Sequence, residues 1–184
     1  MIDTDALFIA HYCHPDQIPF QNICRLPKKE AFSLAYEMAA AHPNTTAFYR
    51  FADFENYYPL RMKTDAHLYD TLVSLGGKPK EKHPLSFVLQ GSEYLHGWFD
   101  GGSVYYIPLK EIPSACISFT WSDSGATLQR TGVLTMYTKE MLFTIMKEYK
   151  GSIDDFMDEI IKNHHYIEVQ LWDDAYCKAA REQR

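Results

Sequence analysis

Residues 84–127 carry only five charges, those of Glu93, Asp100, Lys110, Glu111 and Asp123. A stretch this long and this poor in charge cannot keep both faces in water, so it must supply the buried sheet of the molecule. Residues 85–89, 104–107 and 116–121 are the expected strands within it. Residues 92–100 read as a short helix or turn ended by Gly101 and Gly102. Pro108 and Pro113 keep the link between the second and third strands out of the sheet centre.

On either side the periodicity changes. Ala31, Leu34, Ala35 and Met38 share a face of a helix expected over 27–42, with Pro27 at its first position and Pro43 beyond its end. Leu68, Leu72 and Leu75 form a ladder on a helix expected over 64–75, with Thr64 as its cap and Gly76-Gly77 as its stop. Asp53 is a candidate cap for a turn that Pro59 breaks or restarts. Thr138 and Ser152 introduce two further helices, over 138–149 and 152–162. Alternation predicts strands at 6–13, 46–51 and 166–172, the last with Tyr166, Glu168, Gln170 and Trp172 on one face. Helices and strands mix without a regular βαβ order, so the expectation is a single α+β domain with a mixed or antiparallel sheet. The last ten or so residues are polar and expected to fray.

Charge and motif content exclude several classes. With 18 Lys+Arg against 24 Asp+Glu and no basic block, non-specific nucleic-acid binding is disfavoured. The first residues lack a basic segment, and the apolar run 6–10 is too short for a membrane span, which points to a cytoplasmic protein without a membrane partner. Cys13, Cys24, Cys116 and Cys177 are widely spaced, so neither a zinc ribbon nor a redox pair is indicated. No dinucleotide fingerprint, Walker loop, nucleophile elbow or H-E-x-x-H is present. The sequence names no cofactor and leaves homo-oligomerisation open.

Four groups of residues could carry chemistry. Thirteen tyrosines and eleven phenylalanines are unevenly spread: Phe48, Tyr49, Phe51, Phe54, Tyr57 and Tyr58 crowd beside Arg50 and Arg61. A cleft built from Arg50, Arg61, Tyr57 and Tyr58 would suit a small anionic or nucleotide-like molecule, since guanidinium forks bind phosphate or carboxylate and rings stack on bases. The bland alternative makes the rings core and pairs the arginines with acids. Ser118, Thr120 and Ser122 share a strand face leading into an Asp-Ser-Gly turn, a second set of ligand-binding candidates, although the turn needs those residues anyway. Glu168, on a strand otherwise largely apolar, must be solvated, paired or functional. His11, His14 and Asp16 are weak metal candidates, because in an extended strand His11 does not face His14, and no metal is expected.

Taken in chain order, His11, the Ser118-Phe-Thr120 string and Glu168 resemble ADP-ribosyltransferases of the His-Tyr-Glu type. The resemblance covers three short strings. It implies that the histidine and a tyrosine hold NAD, with Tyr57, Tyr58 and Tyr69 competing for the latter place, and that the glutamate stabilises the transition state. Glu168 and His11 are thus the catalytic candidates. A non-enzymatic interaction module, using surplus rings as a contact patch, is the competing class.

Overall fold

The computed structural model describes residues 2–183. Six antiparallel strands form one open sheet: β1 (Phe8–Cys13), β2 (Leu85–Leu89), β3 (Ser103–Pro108), β4 (Ile117–Trp121), β5 (Ile167–Leu171) and β6 (Arg181–Gln183), in the order β4-β5-β2-β1-β3-β6. The helices are α1 (Lys28–Ala41), α2 (Phe54–Ser74), α3 (Glu93–Trp98), α4 (Ser124–Thr131), α5 (Lys139–Glu148) and α6 (Ile153–His164). The fold is α+β, and no helix among the described residues is long and apolar enough to cross a membrane.

Strand alternation sorts the side chains into two layers. Ile9, Phe87, Ile107, Phe119, Val169 and Leu171 point to one face and meet Leu142 and Met146 of α5 and Phe156 and Met157 of α6. Glu168, Gln170 and Trp172 point to the other, where Trp172 packs with Leu68 and Leu72 of α2 and Leu128 of α4. The charge-poor segment supplies β2, β3 and β4, interrupted between the first two by α3, capped by the Ser92 hydroxyl on the Leu95 N–H at 3.3 Å, and between the last two by the short 3-10 turns Leu109–Glu111 and Ser114–Cys116. Ser152 and Asp155 cap α6 reciprocally, as their spacing predicts.

Three expectations need correction. Residues 46–51 are not a strand: Thr46–Asp53 is a 3-10 helix that runs into α2. The rings there obey a period of three, with Phe48 on Phe51 at 5.6 Å, Phe51 on Phe54 at 5.6 Å and Phe54 on Tyr57 at 6.1 Å. Residues i and i+3 eclipse in a 3-10 helix, so this spacing stacks the rings on one side, and a two-residue reading of the same rings mistakes it for pleat. Helix α2 consequently begins ten residues before Thr64, which lies buried in mid-helix and bonds back to the Leu60 carbonyl at 2.8 Å. Pro59 is passed within α2, and Leu75, beyond its last residue, is exposed instead of completing the ladder. Finally, Arg181–Gln183 add an edge strand to β3 where fraying was expected.

Strands β1 and β2 pair only at Ile9 with Leu89 and Ala10 with Val88. Beyond Ala10, β1 follows β3 to Cys13, while β2 follows β5 back to Leu85. The sheet is therefore split between its two central strands, and the split is where the site lies.

Candidate functional site

His11 closes one side of the split. Its Nδ1 is 2.9 Å from the Ser86 carbonyl on β2, and its Nε2 is 3.1 Å from the Phe20 amide. An amide can only donate, so Nε2 accepts and the ring proton sits on Nδ1, toward Ser86. Phe20 stacks on the same ring at 5.0 Å. Burial lowers the tendency of this histidine to take a second proton, against the pull of the Ser86 carbonyl. Through Nδ1, His11 bridges β1 and β2 where their ladder is missing, and its Nε2 is spent on the Phe20 amide of the loop after β1.

Above the split lies a cavity of about 440 Å³, within the usual range for small-molecule sites. Phe51, Leu95, Trp98 and Phe99 give it an aromatic and apolar wall. Its polar end is made by Tyr57 and Arg61 of α2, Asp123 between β4 and α4, Tyr166 just before β5, and Glu168 of β5.

Glu168 is 6% exposed. It accepts from the Ser124 amide, the first residue of α4, at 2.5 Å. The Ser124 hydroxyl, buried nearby, is out of hydrogen-bond geometry. Burial raises the Glu168 carboxyl to about 7, and Asp123 pushes in the same direction, while Arg61 and the Ser124 amide oppose them. Asp123 caps α4, its carboxylate accepting from Ala126 at 2.6 Å. Tyr166 has its phenol pushed far up, by burial first and then by Asp123 and Glu168. Tyr57 rises to about 12, mainly through burial, against the pull of Arg61. At neutral pH both phenols are therefore hydrogen-bond groups and not bases.

The cavity's cations are already engaged. Arg61 Nη2 is 3.2 Å from Asp65, which is fully buried. Arg25, also on the lining, grips Asp174 with both terminal nitrogens at 2.5 and 3.1 Å. Burial works against charge on Arg61, but Asp65, Tyr57 and Glu168 more than offset it. Asp123 lies within electrostatic reach of Arg50 and Glu168 within reach of Arg61, but among the described residues neither carboxyl has a close ion pair.

Of the residues picked out in the sequence, His11, Tyr57, Arg61 and Glu168 meet at this cavity. Arg50 stands just behind it, its guanidinium 5.4 Å over the Tyr57 ring and its Nε donating to the Tyr49 hydroxyl at 2.6 Å. Tyr58 is elsewhere, packed on Phe32 and Phe54 at the seam of α1 and α2. Ser118 and Thr120 are off the lining, in a closed buried chain. Trp172 Nε1 donates to Ser118, Ser118 donates to Gln170 Oε1, and Gln170 Nε2 donates to Thr120, at 2.9, 2.8 and 3.0 Å. These hydroxyls satisfy buried polar groups and leave nothing for a ligand.

The metal candidates divide too. His14 and Asp16 gather with His42 and Asp100, apart from His11, with His14 Nε2 3.4 Å from Asp100 and His42 Nε2 3.3 Å from Asp16. His14 Nδ1 accepts from the Asp16 amide at 3.2 Å, which keeps the ring proton on Nε2, the nitrogen a metal would need. This cluster reads as a polar staple between the end of β1, the end of α1 and the loop before β3.

Asp123 and Tyr166 were not among the sequence candidates. Strand alternation does put Tyr166 in phase with Glu168. Asp123 gave no such signal, since its approach depends on Ser122 adopting φ 66° and bonding through its amide to the Tyr166 carbonyl at 3.0 Å. Comparison with protein-family models, with curated proteins and with solved structures gives no match for this chain.

Proposed function

We propose that the chain is an NAD-using enzyme that breaks the bond between ribose and nicotinamide and passes the ADP-ribosyl group to water or to an acceptor. The observation that carries this reading is the charge balance of the cavity: two carboxyls face a site whose two arginines already have acidic partners. A ligand that is only anionic would have to draw Arg25 or Arg61 away from Asp174 or Asp65. The cationic ring of a nicotinamide nucleotide fits better, between the aromatic wall and the carboxyls, while its diphosphate, being anionic, has to lie away from them toward solvent. That narrows the nucleotide-like ligand expected from the sequence to one of the nicotinamide type, in line with the ADP-ribosyltransferase resemblance.

The chemistry follows from the same groups. When the C–N bond breaks, its electron pair leaves with nicotinamide, which becomes neutral, and positive charge passes to the ribose carbon. A carboxylate fixed beside that carbon stabilises the oxocarbenium-like state, as in glycoside cleavage generally. Glu168 supplies it, anchored by Ser124 so that little reorganisation is needed. Bound cationic ring also favours the ionised form of Glu168. Water or an acceptor then bonds to the ribose carbon and gives up its proton to the Glu168 carboxylate, which passes it to solvent. His11 serves here as a positioning residue that holds the split at a fixed width, because neither nitrogen is free to bind substrate.

The test is nicotinamide release from NAD by the purified protein, compared with Glu168→Gln. Release from the parent protein, reduced about 10²-fold or more in a folded variant, supports the reading. Equal release by both proteins, or none by the parent across pH 6–9, sinks it.

A further inference from the structure

Cys24, Asp65 and His83 converge behind the cavity wall, and none of the three lines the cavity itself. Cys24 sits in the 3-10 turn Ile23–Arg25, Asp65 in the middle of α2 and His83 in the loop before β2. One ligating atom of each, from thiol, carboxylate and imidazole, lies within 4.8 Å of the other two. Far apart in sequence, they form no spacing motif, and only the fold brings them together. Asp65 is fully buried, yet among the described residues it takes a single side-chain hydrogen bond, from His83 Nδ1 to Oδ2 at 2.9 Å. Arg61 Nη2 faces the other oxygen at 3.2 Å out of hydrogen-bond geometry, so Oδ1 has no hydrogen-bond partner there. A buried carboxylate compensated this thinly is costly, and a bound cation would offset the cost. The backbone around the ligands is fixed without using any ligating atom. The Asn22 side chain accepts from the Cys24 amide at 2.9 Å and donates to the Pro84 carbonyl at 2.7 Å, while Arg25 Nε donates to the His83 carbonyl at 2.8 Å. The His83 side chain is 16% exposed, which gives an ion a way in from the loop side.

We propose that Cys24, Asp65 and His83 form a binding site for zinc or a closely similar divalent transition metal, which fastens two walls of the cavity to each other. Thiolate, imidazole and carboxylate are the donors zinc takes, whereas magnesium and calcium require oxygen throughout. Three protein ligands leave a fourth position to water on the exposed side. Arg61, facing the carboxylate from inside, is the outer partner that orients a ligating aspartate. On binding, a sulfur–metal bond replaces the S–H bond and Cys24 gives its proton to solvent; the metal also takes the place of the His83 proton now held against Asp65, which moves to the other ring nitrogen. Ile23 and Arg25 line the cavity on one side of the ion and Tyr57 and Arg61 on the other, so the ion sets the spacing of these walls whatever the cavity binds.

The experiment adds cobalt(II), a spectroscopic stand-in for zinc, to the full chain after a chelator has stripped it of metal. Expected are a thiolate-to-cobalt charge-transfer band that saturates at one equivalent, loss of that band when zinc is added, and a melting temperature raised by several degrees with zinc alone, as for any ligand held only by the folded state. Cys24→Ser should abolish the band, and His83→Gln, on the half-buried loop, should weaken cobalt binding about tenfold or more with the fold intact. No band at saturating cobalt overturns the assignment and leaves a hydrogen-bonded Asp65–His83 pair beside a bystander thiol. A band that survives in Cys24→Ser overturns it too, since another thiol then holds the metal. Should Cys24→Ser fail to fold, His83→Gln decides, and an affinity equal to the parent's overturns the site. The readout needs no NAD, so it stands apart from the outcome of the turnover assay.

Discussion

The amide of Ser124 donates to Glu168 at 2.5 Å, so the carboxyl that β5 sends to the second face of the sheet is held by the first residue of α4. That bond ties the middle of a strand to a helix start 44 residues earlier in the chain, and it fixes where the one raised carboxyl of the cavity can act.

Stability should carry a signature of Glu168. Its carboxyl is raised from an ordinary 4.5 to about 7 by burial and by Asp123. The unfolded chain therefore releases this proton first, and folding is favoured most below pH 4.5, with the advantage lost as pH climbs to about 7. The difference amounts to about 3 kcal/mol, and Glu168→Gln should flatten it. Urea midpoints measured at several pH values for both proteins check this; parallel curves would remove the buried carboxyl from the account.

His11 predicts the opposite slope. Its folded form resists protonation because burial disfavours the cation, so below the ordinary value of 6.5 the unfolded chain binds the proton instead and stability falls as pH drops. A protonated ring also cannot accept from Phe20. His11→Ala should cost about 2–4 kcal/mol through two lost hydrogen bonds and a void in the split, and should abolish the acid-side loss below pH 6.5. Chemical denaturation at pH 5.5 and 7.5 distinguishes this plug from a surface histidine, whose removal would change neither.

Much of this fold can be read from the residues. The five-charge segment yields β2 to β4 because a sheet sandwiched between helices excludes charge, and the phase of β5 puts Glu168, Gln170 and Trp172 together because a pleat has period two. The cluster around Phe48 misleads for a physical reason: rings at 48, 51 and 54 also leave rings at 49 and 57, and a short window cannot separate period two from period three. Thr64 looks like a cap only when the 3-10 lead into α2 is missed. The site was legible in part, through Arg61, Tyr57, His11 and Glu168. Asp123 was not, because its placement comes from the Ser122 turn and from the pairing of β4 with β5, which are long-range events. Ser118 and Thr120 misled because a hydroxyl face serves a buried hydrogen-bond chain as well as it serves a ligand.

That chain yields a prediction of its own. Ser118→Ala leaves the Trp172 indole N–H and one Gln170 oxygen without their partner in a dry interior, which should cost about 1–3 kcal/mol. Ligand affinity should hold within about twofold, since Ser118 is off the cavity lining. Thermal melts and a binding titration on the same variant separate the two effects; a large loss of affinity at unchanged stability would return Ser118 to the site.

Charge sign in the cavity can be probed without turnover. 1-Methylnicotinamide, a cationic ring, should bind more tightly than neutral nicotinamide by about 1 kcal/mol or more, and the gap should shrink in Glu168→Gln. Trp98 lines the cavity, so quenching of its fluorescence is a direct readout, to be lost in Trp98→Phe. A preference for AMP over both rings would instead favour an anion-binding cleft.

Nicotinamide release from NAD, followed from pH 6 to 9 in the parent protein and in Glu168→Gln, tests the central claim most directly. The parent should release nicotinamide at a rate that rises as pH passes through about 7 and Glu168 ionises, and the variant should lose about 10²-fold or more of it while keeping its fold. No release by the parent, or release that Glu168→Gln leaves unchanged, would contradict the claim.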